Sequence, residues 1–259
     1  MKCSMYRILW ICTFSFLLQY CVTLGGESLT VGCEAGNEPL NCSPLSFEEN
    51  QGQFPSAIKF AGRGLKDHVF LTPTGFQIEI RSHNGATYFG LDFANSNPAV
   101  KLEGKEKASG VVNYLIGNDP SRWRMGISSW HSVIYLELYP GIDLLCYGKE
   151  GHLEYDFILE PGADPDQIAL SFKGAEKIEI SKEGDLVIQA GAGTIRHIRP
   201  LAYQEVNGGR KNVDCAYRLN SPSSVQFKVA AYDESRSLII DPVIVYSTYF
   251  RRNPFRRSQ

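Results

Sequence analysis

The feature that most constrains the fold is a series of short runs in which apolar and polar residues alternate, as in KIEIS (177–181) and GFQIEIR (75–81). A period of two is typical of a strand that packs one face on a core and leaves the other in solvent. Turn-forming segments such as KEGD, NGGR and DESR separate the runs. Connections this short join antiparallel neighbours, because a parallel crossover needs about a dozen residues. The sequence therefore predicts an all-β, mostly antiparallel protein.

The runs extend from Phe47 nearly to the C-terminus, which favours one large antiparallel β-sandwich. Two sandwich-like halves that meet near residue 165 are the alternative. No segment keeps an apolar period of about 3.6 residues over three turns, so we expect few or no helices. Short helical turns are expected in DPSRWR (119–124) and GADPDQI (162–168). The runs do not recur at a constant spacing, so the chain is not itself a propeller or a solenoid.

The N-terminus has the composition of a secretory signal peptide. Lys2 and Arg7 precede an apolar run at 8–18, and small residues follow near position 25. The predicted domains are a signal peptide (1–25), a linker (26–45), a β-sandwich domain (46–250) and a disordered basic tail (251–259). A lipoprotein attached at Cys21 is the alternative. No other segment has about 18 consecutive apolar residues, so we expect an exported protein without a membrane span after signal cleavage, at the cell surface, extracellular or periplasmic.

The charge balance argues against one class of partner. Of the 26 Lys and Arg residues, two lie in the predicted signal peptide and four in the predicted tail, which leaves 20 against 28 Asp and Glu residues. A nucleic-acid-binding protein normally carries a basic surface, and this body is acidic. We therefore expect no nucleic acid among its partners.

Four cysteines remain after the predicted signal peptide. Cys33 and Cys42 lie in a polar segment and can close a small disulfide loop in an oxidising compartment. Cys146 and Cys215 lie in strand-like runs, which is more typical of buried thiols than of a bridge. No spacing of cysteines and histidines resembles a zinc site, and no cofactor is expected.

The stretch GHLEYDFILEPGADP (151–165) contains the first candidate site. In an extended strand His152, Glu154 and Asp156 point to one face, and the apolar residues between them point to the other. A histidine and two carboxylates are donors of the kind that bind a metal, and Glu154 and Asp156 are of the type that flanks a glycosidic bond in hydrolases. A strand with one buried face and one solvent-exposed face has the same alternation. We favour this structural interpretation, and catalytic carboxylates or a metal-binding His152 are the alternatives.

The segment GNDPSRWRMG (117–126) contains the second candidate site. An exposed Trp123 between Arg122 and Arg124 can stack on a sugar or on an acidic polymer. A carbohydrate-binding surface would combine Trp123 with Trp130 and Tyr139. The interpretation that we favour is a tryptophan that anchors a loop to the core while its arginines pair locally.

Several longer phrases carry a resemblance to a known family. They are FEENQGQ (47–53), VNYLIGNDPSRWR (112–124), YPGIDLLCYGKEGHLEYDFILEPGADPDQIAL (139–170), RPLAYQEVNG (199–208) and LIIDPVIVYSTYF (238–250). Together they resemble the N-terminal domain, of unknown function, of large bacterial exported or cell-surface proteins in which SBBP-type β-propeller repeats follow. The resemblance implies an exported location, with a C-terminal β-propeller or another surface protein as a partner. Here RRNPFRRSQ stands where the family continues into a Gly-rich repeat, so we expect a relative that lost its propeller or an altered reading frame.

These patterns support three functions. The one that we favour is a non-catalytic exported module of a cell-surface protein, with a structural, adhesive or propeller-capping role. In this hypothesis Asp241 and Pro242 end one strand and begin another, whose open edge pairs with a partner. A secreted polysaccharide-active hydrolase that uses Glu154 and Asp156 is the first alternative. A carbohydrate-binding module with an extracellular glycan as its ligand is the second.

Overall fold

The computed structural model describes residues 22–24, 27–29, 45–64, 67–82, 85–190, 193–221 and 223–247. The described strands are β1 (Val22–Leu24), β2 (Glu27–Leu29), β3 (Ser46–Glu49), β4 (Phe60–Arg63), β5 (Asp67–Thr72), β6 (Gly75–Ser82), β7 (Gly85–Phe93), β8 (Lys101–Tyr114), β9 (Arg124–Tyr139), β10 (Ile142–Lys149), β11 (His152–Leu159), β12 (Ala169–Lys173), β13 (Lys177–Ile180), β14 (Leu186–Ala190), β15 (Gly193–His197), β16 (Leu201–Val206), β17 (Gly209–Val213), β18 (Cys215–Ser221), β19 (Ser224–Val229), β20 (Leu238–Asp241) and β21 (Ile244–Ser247). The all-β prediction is confirmed.

Two short 3₁₀ turns interrupt the strands, at Pro120–Arg122 and Pro165–Gln167. Both lie where the sequence predicts helical turns. In each turn an aspartate precedes the proline, and its side chain accepts a hydrogen bond from the backbone N–H two residues later. Proline at the first position suits such a turn, because its missing N–H would have no partner there.

A single antiparallel sheet contains most of the described strands. Its order is β17-β16-β20-β11-β10-β9-β3-β4-β5-β6-β7-β12-β19-β18, with β8 added at β9. Only Asp214 separates the end of β17 from the start of β18 along the chain, so the two ends of the sheet lie close together. The sheet is therefore nearly closed, and its two halves face each other. Aromatic rings of Phe93 on β7 and Phe157 on β11 pack edge to face across the interior, with ring centroids 6.1 Å apart.

Strand β9 is the point where the two halves of the sheet separate. One edge of β9 pairs with β8 along nearly its whole length. The other edge pairs first with β3, through Trp130 and Phe47, and then with β10, through residues 132–139. Where β3 and β10 diverge, Leu45 packs on Gly148, and a Cβ on that glycine would lie 2.5 Å from the Cβ of Leu45. Gly148 thus permits a close approach that a larger residue would prevent.

A smaller sheet with the order β13-β14-β15-β21 adds to the same core. Leu186, Ile188, Ile195 and Ile244 from this sheet are buried with the apolar residues of the large sheet. Strands from both sides of residue 165 also pair with each other, β7 with β12 and β11 with β20. The residues before and after position 165 therefore share one sheet and one core.

His197 on β15 lies at the junction of the two sheets and is fully buried. The rings of Phe89, Tyr155 and Phe172 surround it, and the Tyr155 hydroxyl is 3.3 Å from its Nδ1 atom. Burial lowers the pKa of His197 to about 3, so the imidazole is neutral over the physiological range. Its Nε2 atom has no hydrogen-bond partner among the described residues.

Several predictions concern parts of the chain that lie wholly or mostly outside the described residues. These are the signal peptide (1–25), the linker (26–45), the Cys33–Cys42 disulfide and the basic tail (251–259). The hairpin of β1 and β2 and the buried Leu45 are the described portions of the first two. Cys146 and Cys215 are buried free thiols, as expected. Among the described residues, no helix is long and apolar enough to span a membrane.

Candidate functional site

Strand β11 presents two different faces, as the alternation predicts. Leu153, Tyr155, Phe157 and Leu159 are buried in the core. On the other face His152 is exposed and Asp156 is partly exposed, but only 7% of the surface of Glu154 is open to solvent. This face is therefore less solvated than an ordinary outer strand face, because neighbouring side chains cover Glu154.

Side chains of the neighbouring strand β10 bind both carboxylates. Tyr147 is the cross-strand partner of Glu154, and its hydroxyl donates to Glu154 Oε2 at 3.3 Å and to Asp156 Oδ1 at 3.1 Å. Lys149 Nζ donates to the same Glu154 oxygen at 3.2 Å. Charge-assisted bonds of this kind are stronger than neutral ones. The arrangement joins β10 to β11 through their outer side chains.

A third carboxylate, Asp241, comes from β20 on the other side of β11. Phe157 pairs with Ile240, so the antiparallel register places Asp241 next to Asp156. We call Glu154, Asp156 and Asp241 the carboxylate cluster. One oxygen of Asp241 is buried and has no hydrogen-bond partner among the described residues.

The carboxylate cluster favours protonation of two of its members, Asp156 and Asp241. The pKa of Asp156 rises to about 6, first because the side chain is largely buried and then because Asp241 and Glu154 repel its charge, while the bond from Tyr147 opposes the rise. Burial and the charge of Glu154 also raise the pKa of Asp241. A carboxyl group that holds its proton near pH 6 can serve as a general acid, which is the chemistry that the catalytic alternative requires. Asp241 is the member of the cluster that sequence spacing did not reveal.

His152 does not complete a metal site with these carboxylates. It is exposed at the start of β11, where its cross-strand partner is Lys149, an ammonium that cannot bind a cation. Within the described part of the chain, no group of three or more His, Cys, Asp or Glu side chains has the geometry to bind a metal. The arrangement around His152 therefore offers no support for the metal-binding alternative.

The second candidate site lies at the tip of the β8–β9 hairpin. Trp123 is partly buried, and its Nε1 donates to the carbonyl of Gly117 at 3.2 Å. Arg124 donates to the carbonyls of Gln51, Ser121 and Trp123 at 3.0–3.2 Å. Arg122, the residue before the tryptophan, is exposed. Arg124 thus joins the β8–β9 loop to the loop at Gln51, and Trp123 bonds within its own loop. Anchoring of Trp123 to the core, which the favoured interpretation includes, stays a prediction.

Trp130 and Tyr139 do not join Trp123 in a carbohydrate-binding surface. Only 2% of Tyr139 is exposed, and its hydroxyl bonds to the carbonyl of Ala94 at 3.1 Å, so its ring has no face for a sugar. Trp130 packs against the core and covers Gly104, and its Nε1 atom is buried. The prediction that Trp123, Trp130 and Tyr139 form one carbohydrate-binding surface is therefore wrong, because Tyr139 is buried.

Residues 47–243 match a protein family described as Domain of unknown function (DUF7948). The chain belongs to this family. The match covers nearly the whole large sheet, including the carboxylate cluster, so these features are part of the DUF7948 domain. No curated protein and no solved structure matches the chain.

Proposed function

We propose that this DUF7948 domain is a non-catalytic exported module of a cell-surface protein, with a structural or adhesive role. The observation that carries the proposal is the binding of Glu154 by Tyr147 and Lys149 of the neighbouring strand. A carboxylate that acts as a nucleophile or a base presents an oxygen to the substrate. Glu154 is 7% exposed and presents its Oε2 atom to β10 instead.

Replacement of Glu154 by glutamine tests this structural role at pH 5, where Asp156 with its pKa of about 6 is mostly protonated and its repulsion by Glu154 is small. The amide keeps the shape but loses the charge that Lys149 binds, so we expect a lower melting temperature. The exposed Glu160, just beyond the same strand, supplies the matched control Glu160→Gln, which should melt like the wild type. A Glu154→Gln protein that melts like the wild type but loses a polysaccharide-cleaving activity of the wild type would contradict the proposal.

A polysaccharide-active hydrolase is a second candidate function because of one observation. Asp156 lies between two other carboxylates, and its pKa of about 6 is suited to a general acid. Release of reducing ends from soluble polysaccharides distinguishes this candidate. A hydrolase would release them in the wild type and fail to do so after Asp156→Asn, whereas the non-catalytic module would release none in either form.

The proposal includes an SBBP-type β-propeller as the neighbouring domain, which the sequence resemblance implies. Strand β20 ends at Asp241 in the large sheet, and β21 begins at Ile244 in the small sheet, with the buried Pro242 between them. Among the described strands β21 pairs with β15 only. The other edge of β21 pairs with no described strand, and this supports the idea that a strand of the neighbouring domain pairs with that edge.

Backbone geometry allows this edge to be tested without disturbing β15. Hydrogen-bonded pairs alternate along an antiparallel ladder, and the N–H of Ile198 donates to the carbonyl of Val243 at 2.9 Å. Val245, two residues after Val243, is therefore the next residue whose backbone bonds to β15. The backbone N–H of Tyr246, between bonded pairs, points to the outer edge. Tyr246→Pro should therefore weaken binding to a purified SBBP-type propeller in calorimetry, whereas Tyr246→Ala should not. Equal binding by both variants would count against an edge contact.

A further inference from the structure

A groove of about 650 Å³ lies on the outer face of the large sheet, where β6, β7 and β12 are neighbours. It is formed by strand residues together with the β5–β6 turn and the loop before β4. The carboxylate cluster is on β11 and β20, in the opposite half of the sheet. The groove is thus separate from both candidate sites that the sequence indicates.

Gly90 forms the floor of this groove. Along β7 the side chains of Tyr88 and Asp92 point to the same face as Gly90, one on each side of it. Across the strands Gln77 pairs with Gly90 from β6, and Lys173 pairs with it from β12. A glycine surrounded by four larger side chains leaves a depression in an otherwise continuous face.

Tyr88 forms an aromatic wall of the groove. It is 55% exposed, so more than half of its surface is open to a ligand. Its hydroxyl donates to Glu79 Oε1 at 3.3 Å, and the other oxygen of Glu79 lies 3.1 Å from Nδ1 of His68. Glu79 is only 8% exposed, so this bond holds the tyrosine ring by a buried group. The ring is therefore presented in one orientation at low entropic cost.

Hydrogen-bond donors and acceptors line the rest of the groove. Asp92 and Lys173 form an ion pair, and 69% of the Lys173 side chain remains exposed. Gln77 is exposed as well and supplies an amide. Lys59 bonds to the carbonyl of Ser56 at 3.2 Å at the groove's margin. Because the central charges neutralise each other, the groove suits a neutral polar ligand better than a phosphate or a polyanion.

We propose that this groove binds one pyranose ring of a neutral extracellular oligosaccharide. A pyranose has an apolar C–H face, which stacks on the exposed Tyr88 ring, and hydroxyl groups at its rim, which Asp92, Lys173 and Gln77 can bind. The site rests on the proposed adhesive role and names its ligand class. It also places the carbohydrate contact on β7, away from the tryptophans.

Calorimetry with neutral hexasaccharides tests the site. The probes are cellohexaose, xylohexaose, laminarihexaose and chitohexaose, each titrated into the purified chain. We expect at least one to bind, and Tyr88→Ala to weaken that binding about tenfold, while Tyr88→Phe retains most of it. The control is Leu201→Ala, which removes an exposed apolar side chain from the opposite half of the sheet and should leave binding unchanged.

A second variant, Gly90→Ala, fills the floor of the groove and removes none of the side chains that would bind the sugar. A methyl at position 90 would lie 3.2 Å from the Cβ of Lys173, so Gly90→Ala should displace that side chain and weaken binding in a protein that still melts cooperatively. The site is refuted if none of the four probes binds, or if Tyr88→Ala binds as well as the wild type. The latter result would leave an adhesive role elsewhere on the chain. Release of reducing ends by the wild type would instead contradict the non-catalytic function, whatever the Tyr88 variants do.

Discussion

Replacement of Asp156 by asparagine should stabilise the protein above pH 6 and lose that advantage below pH 4. The pKa of Asp156 rises from an ordinary value of 3.8 to about 6 in the folded protein. Above pH 6 the carboxyl is ionised in both the folded and the unfolded chain, and the folded state carries the cost of a partly buried charge. Below pH 4 both states are protonated and the cost disappears. The contribution of Asp156 to stability therefore falls as pH rises between these limits.

The magnitude follows from the size of the pKa change. A difference of about two pH units corresponds to about 3 kcal/mol at 1.36 kcal/mol per unit, as an upper bound. Asp156 is partly exposed, and solvent screening reduces this to about 1–2 kcal/mol. Asparagine Oδ1 can still accept the Tyr147 hydroxyl, which donates at 3.1 Å, so the substitution removes the charge and keeps that bond.

Urea denaturation at pH 4, 5, 6, 7 and 8 measures the effect. The free energy of unfolding of Asp156→Asn relative to wild type should increase by about 1–2 kcal/mol from pH 4 to pH 8. Asp214→Asn is the control, because it makes the same change of charge at a side chain that is 91% exposed, where no desolvation cost can be relieved. A relative stability of Asp156→Asn that falls with pH would show that the folded protein favours the charged form, and would refute this electrostatic account of the carboxylate cluster.

Three further predictions concern the rest of the fold. Phe157→Ala should lower the free energy of unfolding by about 3–5 kcal/mol in denaturant titrations, since its fully buried ring joins the two halves of the sheet. A loss below about 1 kcal/mol would contradict this. Asn50→Ala should cost about 1–3 kcal/mol, since the two N–H groups of its side chain are shared among three backbone carbonyls and its Oδ1 accepts from two backbone N–H groups. An unchanged unfolding midpoint would count against it. Cys146 and Cys215 should react with a thiol reagent only on unfolding, because burial raises both thiol pKa values, that of Cys215 to about 12; rapid labelling of the native protein would be inconsistent with that burial.

The alternation of apolar residues was sufficient to predict the strands and their inward faces. Leu153, Tyr155 and Phe157 are in the core, as a period of two requires. The sheet order could not be predicted in the same way, because pairings such as β11 with β20 join residues far apart in the chain. Asp241 was missed as a member of the carboxylate cluster for this reason, since no sequence spacing connects it to Asp156.

Leu138 shows how a local irregularity defeats a regular pattern. Strand β9 buries Val133 and Tyr135 in alternation, but Glu137 has a φ of 54°, and Leu138 and Tyr139 are then buried next to each other. The N–H of Glu137 donates to Asp143 Oδ1 at 2.7 Å, which stabilises the irregularity. A strict period of two from Val133 and Tyr135 places Tyr139 inside, as observed, but it also places Glu137 inside and Leu138 outside, so the burial of Leu138 was not predictable from its position in the run.

The groove around Gly90 left no motif in the sequence. Tyr88, Gly90 and Asp92 form an ordinary alternating segment, and only the neighbouring strands bring Gln77 and Lys173 beside the glycine. An exposed aromatic residue is equally invisible from sequence, since Tyr88 and the buried Phe89 are adjacent. Pairing across strands, rather than residue type, creates the site.

A crystal of the chain soaked with the hexasaccharide that binds most tightly would show where the sugar is held. We expect an intact oligosaccharide with one ring stacked on Tyr88 above Gly90, and a carboxylate cluster still bound by Tyr147. A sugar seated against Glu154, Asp156 and Asp241, or a cleaved product there, would contradict it and identify the carboxylate cluster as catalytic.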